Sequence, residues 1–136
     1  MNVLSPVLVF NPIAMYLCTS ERDFEAVQKA EGFVDDDGFL AGGALGSTAL
    51  YHLGDRAITV VSLRVSPEAV SVLVHESVHV WQNYVMATGE KDPSREFEAY
   101  SIEGIFSTLY KEYQKAERRY NMAAKKKGGK GGKKGC

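Results

Sequence analysis

Hydrophobic and polar positions change rhythm along this chain, from short apolar blocks in the first half to helical spacing in the second. Residues 3–10 and Ile13–Cys18 are rich in β-branched and aromatic side chains and predict strands, separated by an Asn11-Pro12 turn. Ser20-Glu21-Arg22-Asp23 has the signature of a helix start, with Phe24, Val27 and Ala30 on one face and Gly32 as the stop. The Asp35-Asp36-Asp37-Gly38 cluster predicts a turn, and Gly42, Gly43 and Gly46 open a pliable stretch. Residues 47–53 and 57–65 predict two more strands around a Gly54-Asp55 turn, the second being the stronger.

The second half reads as two helices. Ser66-Pro67-Glu68 supplies an N-cap, a proline at the first helical position and an acid in the first turn, which predicts a helix to about Ala87 that stops near Gly89. Asp92-Pro93 repeats the cap-then-proline signal for a helix from Ser94 to about Tyr120. The expected class is α+β, with a small, mainly antiparallel sheet. One domain is expected over residues 1–122, and the Lys/Gly-rich residues 123–136 are expected to be disordered because they offer no apolar surface to bury.

Charge sharpens this division. The formal net charge of −1 hides a body, residues 1–122, with 10 Lys+Arg against all 17 Asp+Glu, and a tail with six lysines and no acid. Such a tail predicts nonspecific, salt-sensitive contacts with anionic partners, or a merely solubilising role. No run approaches the roughly 18–20 apolar residues that span a bilayer. The apolar opening lacks a basic start and is interrupted by Pro6, Asn11 and Pro12, so no secretory leader is expected. With Cys18 far from the terminal Cys136, no disulfide is expected, which predicts a reducing, cytoplasmic location.

One segment carries candidate chemistry. His75-Glu76-Ser77-Val78-His79 is an H-E-x-x-H motif within the first long helix. Residues four apart share a helix face, so both imidazoles can reach one zinc ion. Glu76 lies about 100° around the helix, where it can act on a water at the metal without being a ligand. Val72, Val74, Val78, Val80, Trp81 and Val85 surround the motif and predict a helix buried on most sides, where bare polar groups need partners.

A catalytic zinc site takes three protein ligands and leaves one position open. No third histidine follows the motif, so the candidates are Glu96, Glu98 and Glu103 on the next helix. Ile102, Ile105 and Leu109 fall within about 40° of Glu98 on a helical wheel, whereas Glu96 and Glu103 lie about 160° and 140° away. Glu98 is therefore the predicted third ligand, and a salt bridge to Arg64 or Arg95 is the alternative for its carboxylate. Gln82, near the His75 face, can support a ligand or simply pack or cap. Tyr100, Tyr110 and Tyr113 offer no clear oxyanion donor.

H-E-x-x-H followed by a glutamate, with 18 residues separating His79 from Glu98, resembles the gluzincin branch of zinc metallopeptidases. The Glu98-Ala99 pair resembles the E-A step of its compact members. More closely, residues 73–82, Gly89-Glu90 and Glu96-Phe97-Glu98-Ala99-Tyr100 resemble small proteins encoded in tailed phages and prophages. The resemblance is strongest over residues 57–110. It implies a zincin-like core, Zn2+ as cofactor and hydrolysis of a peptide or protein substrate, with residues 57–65 as an edge strand along which the substrate lies. A catalytically silent zincin-fold protein, binding metal as an interaction module in virion assembly or host takeover, is the competing expectation.

Overall fold

A computed structural model describes residues 13–89 and 91–132, so the strand expected over residues 3–10 lies outside the described residues. Three strands, β1 (Ile13–Cys18), β2 (Gly46–Leu53) and β3 (Arg56–Leu63), accompany three helices, α1 (Glu21–Glu31), α2 (Ala69–Thr88) and α3 (Arg95–Gly132). The class is α+β. The sheet is mixed rather than mainly antiparallel, in the order β1-β3-β2. β1 runs parallel to β3, with Met15 beside Thr59, and β2 runs antiparallel to it, with Leu50 beside the same Thr59.

Strand alternation sends β1 and β3 side chains to two separate cores. Ile13, Met15, Val61 and Leu63 face α2 and α3, where they meet Leu73, Trp81, Ile105 and Leu109. Tyr16, Cys18, Ile58 and Val60 face α1 through Phe24 and Val27, with Phe33 completing that layer. β3 is buried from Ile58 to Leu63 because it has a strand on each side and helices on both faces. Its apolar run is thus the mark of a central strand, and the expectation that it forms an edge is corrected. The half-exposed β2 is the edge strand on that side among the described residues.

Local punctuation holds in α1: Ser20 Oγ accepts the Asp23 amide at 3.1 Å, and Gly32 closes the helix at a left-handed φ of 79°. It shifts in the other helices. α2 begins at Ala69, not at Pro67; Ser66-Pro67-Glu68 forms a turn in which the Ser66 carbonyl, rather than its hydroxyl, accepts the Ala69 amide. α3 is capped by Ser94, whose Oγ accepts the Phe97 amide at 3.1 Å, while Asp92 adopts a positive φ of 50° outside the helix. α3 also passes the expected end near Tyr120 and continues to Gly132, so the Lys/Gly stretch is helical as far as that residue rather than irregular. Among the described residues, Ala116 is its last buried one. No helix among the described residues is long and apolar enough to cross a membrane.

Candidate metal centre

α2 splits the H-E-x-x-H residues between two environments. Leu73, Ser77, Val80, Trp81 and Tyr84 form its buried side, while His75 and His79 are exposed on the open side, contrary to the expectation of a helix buried around the motif. Ser77 answers its own burial by donating to the Leu73 carbonyl at 2.7 Å. About 100° from His75, Glu76 turns inward toward β2 and is only 4% exposed. Its Oε1 accepts the Thr48 hydroxyl at 2.9 Å, which satisfies a group that burial alone would disfavour. Gly46 lets β2 approach this carboxylate, because a Cβ there would lie 3.3 Å from Glu76 Oε2 and 2.5 Å from Val72 Cγ1.

The two imidazoles converge. Their Nε2 atoms lie 3.1 Å apart, with the rings at 79° to each other. Two nitrogens bound tetrahedrally to one zinc at about 2.0–2.1 Å would be separated by about 3.3 Å, a spacing this hydrogen-bonded pair approaches. His79 Nδ1 lies 2.8 Å from Gln82 Oε1. With the amide oxygen accepting, Nδ1 holds the ring proton, and the Nε2 lone pair of neutral His79 points toward His75. Gln82 thus contacts a candidate ligand, which suits a supporting role and a packing or capping one alike. Thr48 and Gly46 carried no such signal, because their link to Glu76 crosses 28 and 30 positions of sequence.

The third candidate stands apart. Glu98 is exposed, and its Oε2 accepts the Trp81 indole N–H at 3.1 Å. It lines a half-open cavity of about 360 Å³ with Val78, Trp81, Gln82, Val85 and Ile102 among its neighbours. The wheel placed Glu98 on the side of α3 that faces α2, but it could not give depth: Ile105 and Leu109 are buried further along, while Glu98 lies at the open mouth. Neither Arg64 nor Arg95 pairs with it in a salt bridge. Glu96 and Glu103 are exposed as well. Among the described residues, no group of three or more His, Cys, Asp or Glu is placed to hold a metal ion. The chain therefore brings two imidazoles together, with a carboxylate across the adjoining cavity that is turned to an indole.

Three other polar clusters serve the fold. Tyr16 and Arg56 both donate to Glu31, and Tyr51 donates to Asp35 while stacking on Phe33. Burial, then the Glu31 hydrogen bond and charge, push the Tyr16 hydroxyl up to about 12. The single Tyr113 hydroxyl hydrogen is shared between Glu117 at 3.2 Å and the Ser66 carbonyl at 3.5 Å, joining α3 to the turn before α2. Comparison with known protein families, with curated proteins and with solved structures finds no match to this chain.

Proposed function

We propose that this chain is a minimal zincin-like metalloprotein of phage or prophage type, working as a zinc-dependent peptidase. The observation that carries the reading is the 3.1 Å approach of the His75 and His79 Nε2 atoms, with His79 oriented from behind by Gln82. His75 and His79 would hold the metal, and Glu98 would complete the set by turning its carboxylate from the Trp81 indole toward the imidazoles. Zinc, when bound, supplies a Lewis acid that polarises a peptide carbonyl and makes water a nucleophile near neutral pH. Glu76 accepts the proton of the attacking water and returns it to the departing amine, while Thr48 steadies one of its oxygens. A host-cytoplasmic setting fits the same reading.

The exposure of both histidines and the separation of Glu98 favour one alternative, a zincin-fold protein that binds metal without catalysis as an interaction module. Elemental analysis of the full chain after zinc loading, paired with a broad peptide-cleavage screen, separates the readings. His75→Ala and His79→Ala are expected to abolish stoichiometric zinc, and Glu98→Ala to weaken it, with Glu96→Ala unchanged. Glu76→Gln is expected to keep zinc and lose cleavage. A wild-type chain that takes up zinc but cleaves nothing supports the interaction module, and one that takes up no zinc removes both readings.

A further inference from the structure

Beyond the metal centre, the largest feature without a role is the solvent face of α3. From Arg118 to Lys127 every side chain is exposed, and this stretch contains Arg118, Arg119, Lys125, Lys126 and Lys127 but no acid. With Arg118 as origin and about 100° per residue, Lys111, Lys115, Arg118, Arg119, Lys125 and Lys126 fall within an arc of about 120°. Ile105, Leu109, Tyr113 and Ala116, the buried side of the same helix, centre about 140° away. Tyr120 shares that inward direction and lines a cavity with Phe39 and Arg64 of the body. The cations thus form a stripe pointing away from the protein, about 22 Å long from Lys111 to Lys126 at 1.5 Å per residue.

We propose that this stripe is a docking surface for nucleic acid, gripping the phosphate backbone without reading bases. Charge supports it: residues 118–136 hold eight of the 16 Lys+Arg and none of the 17 Asp+Glu. Among the described residues, the one acid that engages the stripe in an ion pair is Glu112, which meets Lys115 at 3.0 Å. The remaining nine-unit excess of acid over base lies in residues 1–117. Lys125 stands about 13 Å along the helix from Ala116, farther than the Debye length of about 8 Å at physiological salt, so the body's negative field is screened there. A membrane surface suits the arm less well. Interfacial helices bury a broad face of large apolar side chains, whereas here the only exposed large apolar groups beyond Ala116 are Tyr120 and Met122. Lysines and arginines spaced along a straight rod, with no side chain reaching for a groove edge, are what backbone contacts require.

Fluorescence anisotropy of the full chain with a labelled mixed-sequence DNA duplex tests this. Neutralising four phosphates predicts that affinity falls about 150-fold between about 50 and 200 mM salt. The quadruple variant Arg118→Gln, Arg119→Gln, Lys125→Gln, Lys126→Gln is expected to lose most of that salt dependence and at least tenfold in affinity. All four side chains are exposed, so its helical circular dichroism should match wild type. Lys29→Gln, an exposed cation on α1, is expected to leave binding unchanged. Absence of duplex binding at low salt, or equal binding by the quadruple variant, overturns the proposal. So does tighter binding to vesicles of anionic lipid than to the duplex, or salt-sensitive self-association that the duplex does not relieve.

Discussion

Replacing Gly46 with alanine forces the question of how closely β2 is pressed against the helix that carries the candidate metal centre. The added Cβ would lie 2.5 Å from Val72 Cγ1 and 3.3 Å from both Glu76 Cγ and Oε2. Ordinary carbon contacts lie at about 3.5–4.0 Å, so strand and helix must part by roughly 1 Å or Val72 must rotate. Valine has one strongly preferred χ1 in a helix, and leaving it costs on the order of 0.5–1.5 kcal/mol. Overpacking of this kind destabilises by about 1–3 kcal/mol, and we expect a loss of about 2 kcal/mol. Urea unfolding followed by the emission of Trp81, the single tryptophan and only 3% exposed, should show the midpoint falling by about 1 M at unchanged slope. Val72→Ala removes the obstructing methyl, so the double variant should show a favourable coupling of about 1–2 kcal/mol. Because His75 and His79 are exposed whereas the strained contacts at Val72 and Glu76 lie against β2, their zinc affinity should survive. A Gly46→Ala chain within about 0.5 kcal/mol of wild type, or a coupling near zero, would refute the close approach.

Four further outcomes test separate parts of the structure. Gln82→Leu is expected to lower zinc affinity about 10–100-fold by removing the partner of His79 Nδ1, with no loss of helical signal; calorimetric zinc titration measures it, and unchanged affinity would remove Gln82 from the site. Ser66 Oγ is buried without a partner among the described residues whereas Ser94 Oγ caps α3, so Ser66→Ala should be neutral or slightly stabilising and Ser94→Ala should cost about 1 kcal/mol in urea unfolding. Burial pushes Tyr16 and Cys18 each up to about 12, which keeps both protonated in the folded chain. Their stabilising contribution is complete below the unfolded values near 9–10 and lost as pH rises toward 12, so the unfolding midpoint should fall between pH 9 and 12; a flat profile would count against it. By the same burial, Cys18 in a Cys136→Ser chain should resist thiol reagents at pH 8 until denaturant is added.

Local signals in the sequence located the elements because they act over a few residues. Ser20 and Gly32 bound α1 through contacts three or four positions long, and Gly89 ends α2 in the left-handed conformation its position suggested. The H-E-x-x-H spacing likewise dictated that His75 and His79 would meet, since four residues make about one helical turn. Competing caps were less legible. Ser66 and Asp92 have the right chemistry, but α2 starts after Glu68, where Tyr113 meets the Ser66 carbonyl, and α3 starts after Ser94, whose hydroxyl takes the cap.

Only the tertiary structure decided depth and neighbourhood. The apolar run of β3 suits a strand covered on both faces, but which strands lie beside it is decided only when β1 and β2 pack on either side. A wheel aims Glu98 at α2, yet where the packed layer ends determines that it meets solvent and the Trp81 indole instead of a closed core. Glu76 acquires its hydroxyl partner from a strand 28 positions earlier, and Gly46 earns its place there for want of a side chain. Direction around a helix follows from 100° per residue and is written in the sequence; distance to a neighbour depends on how separate elements pack, and no local pattern contains it.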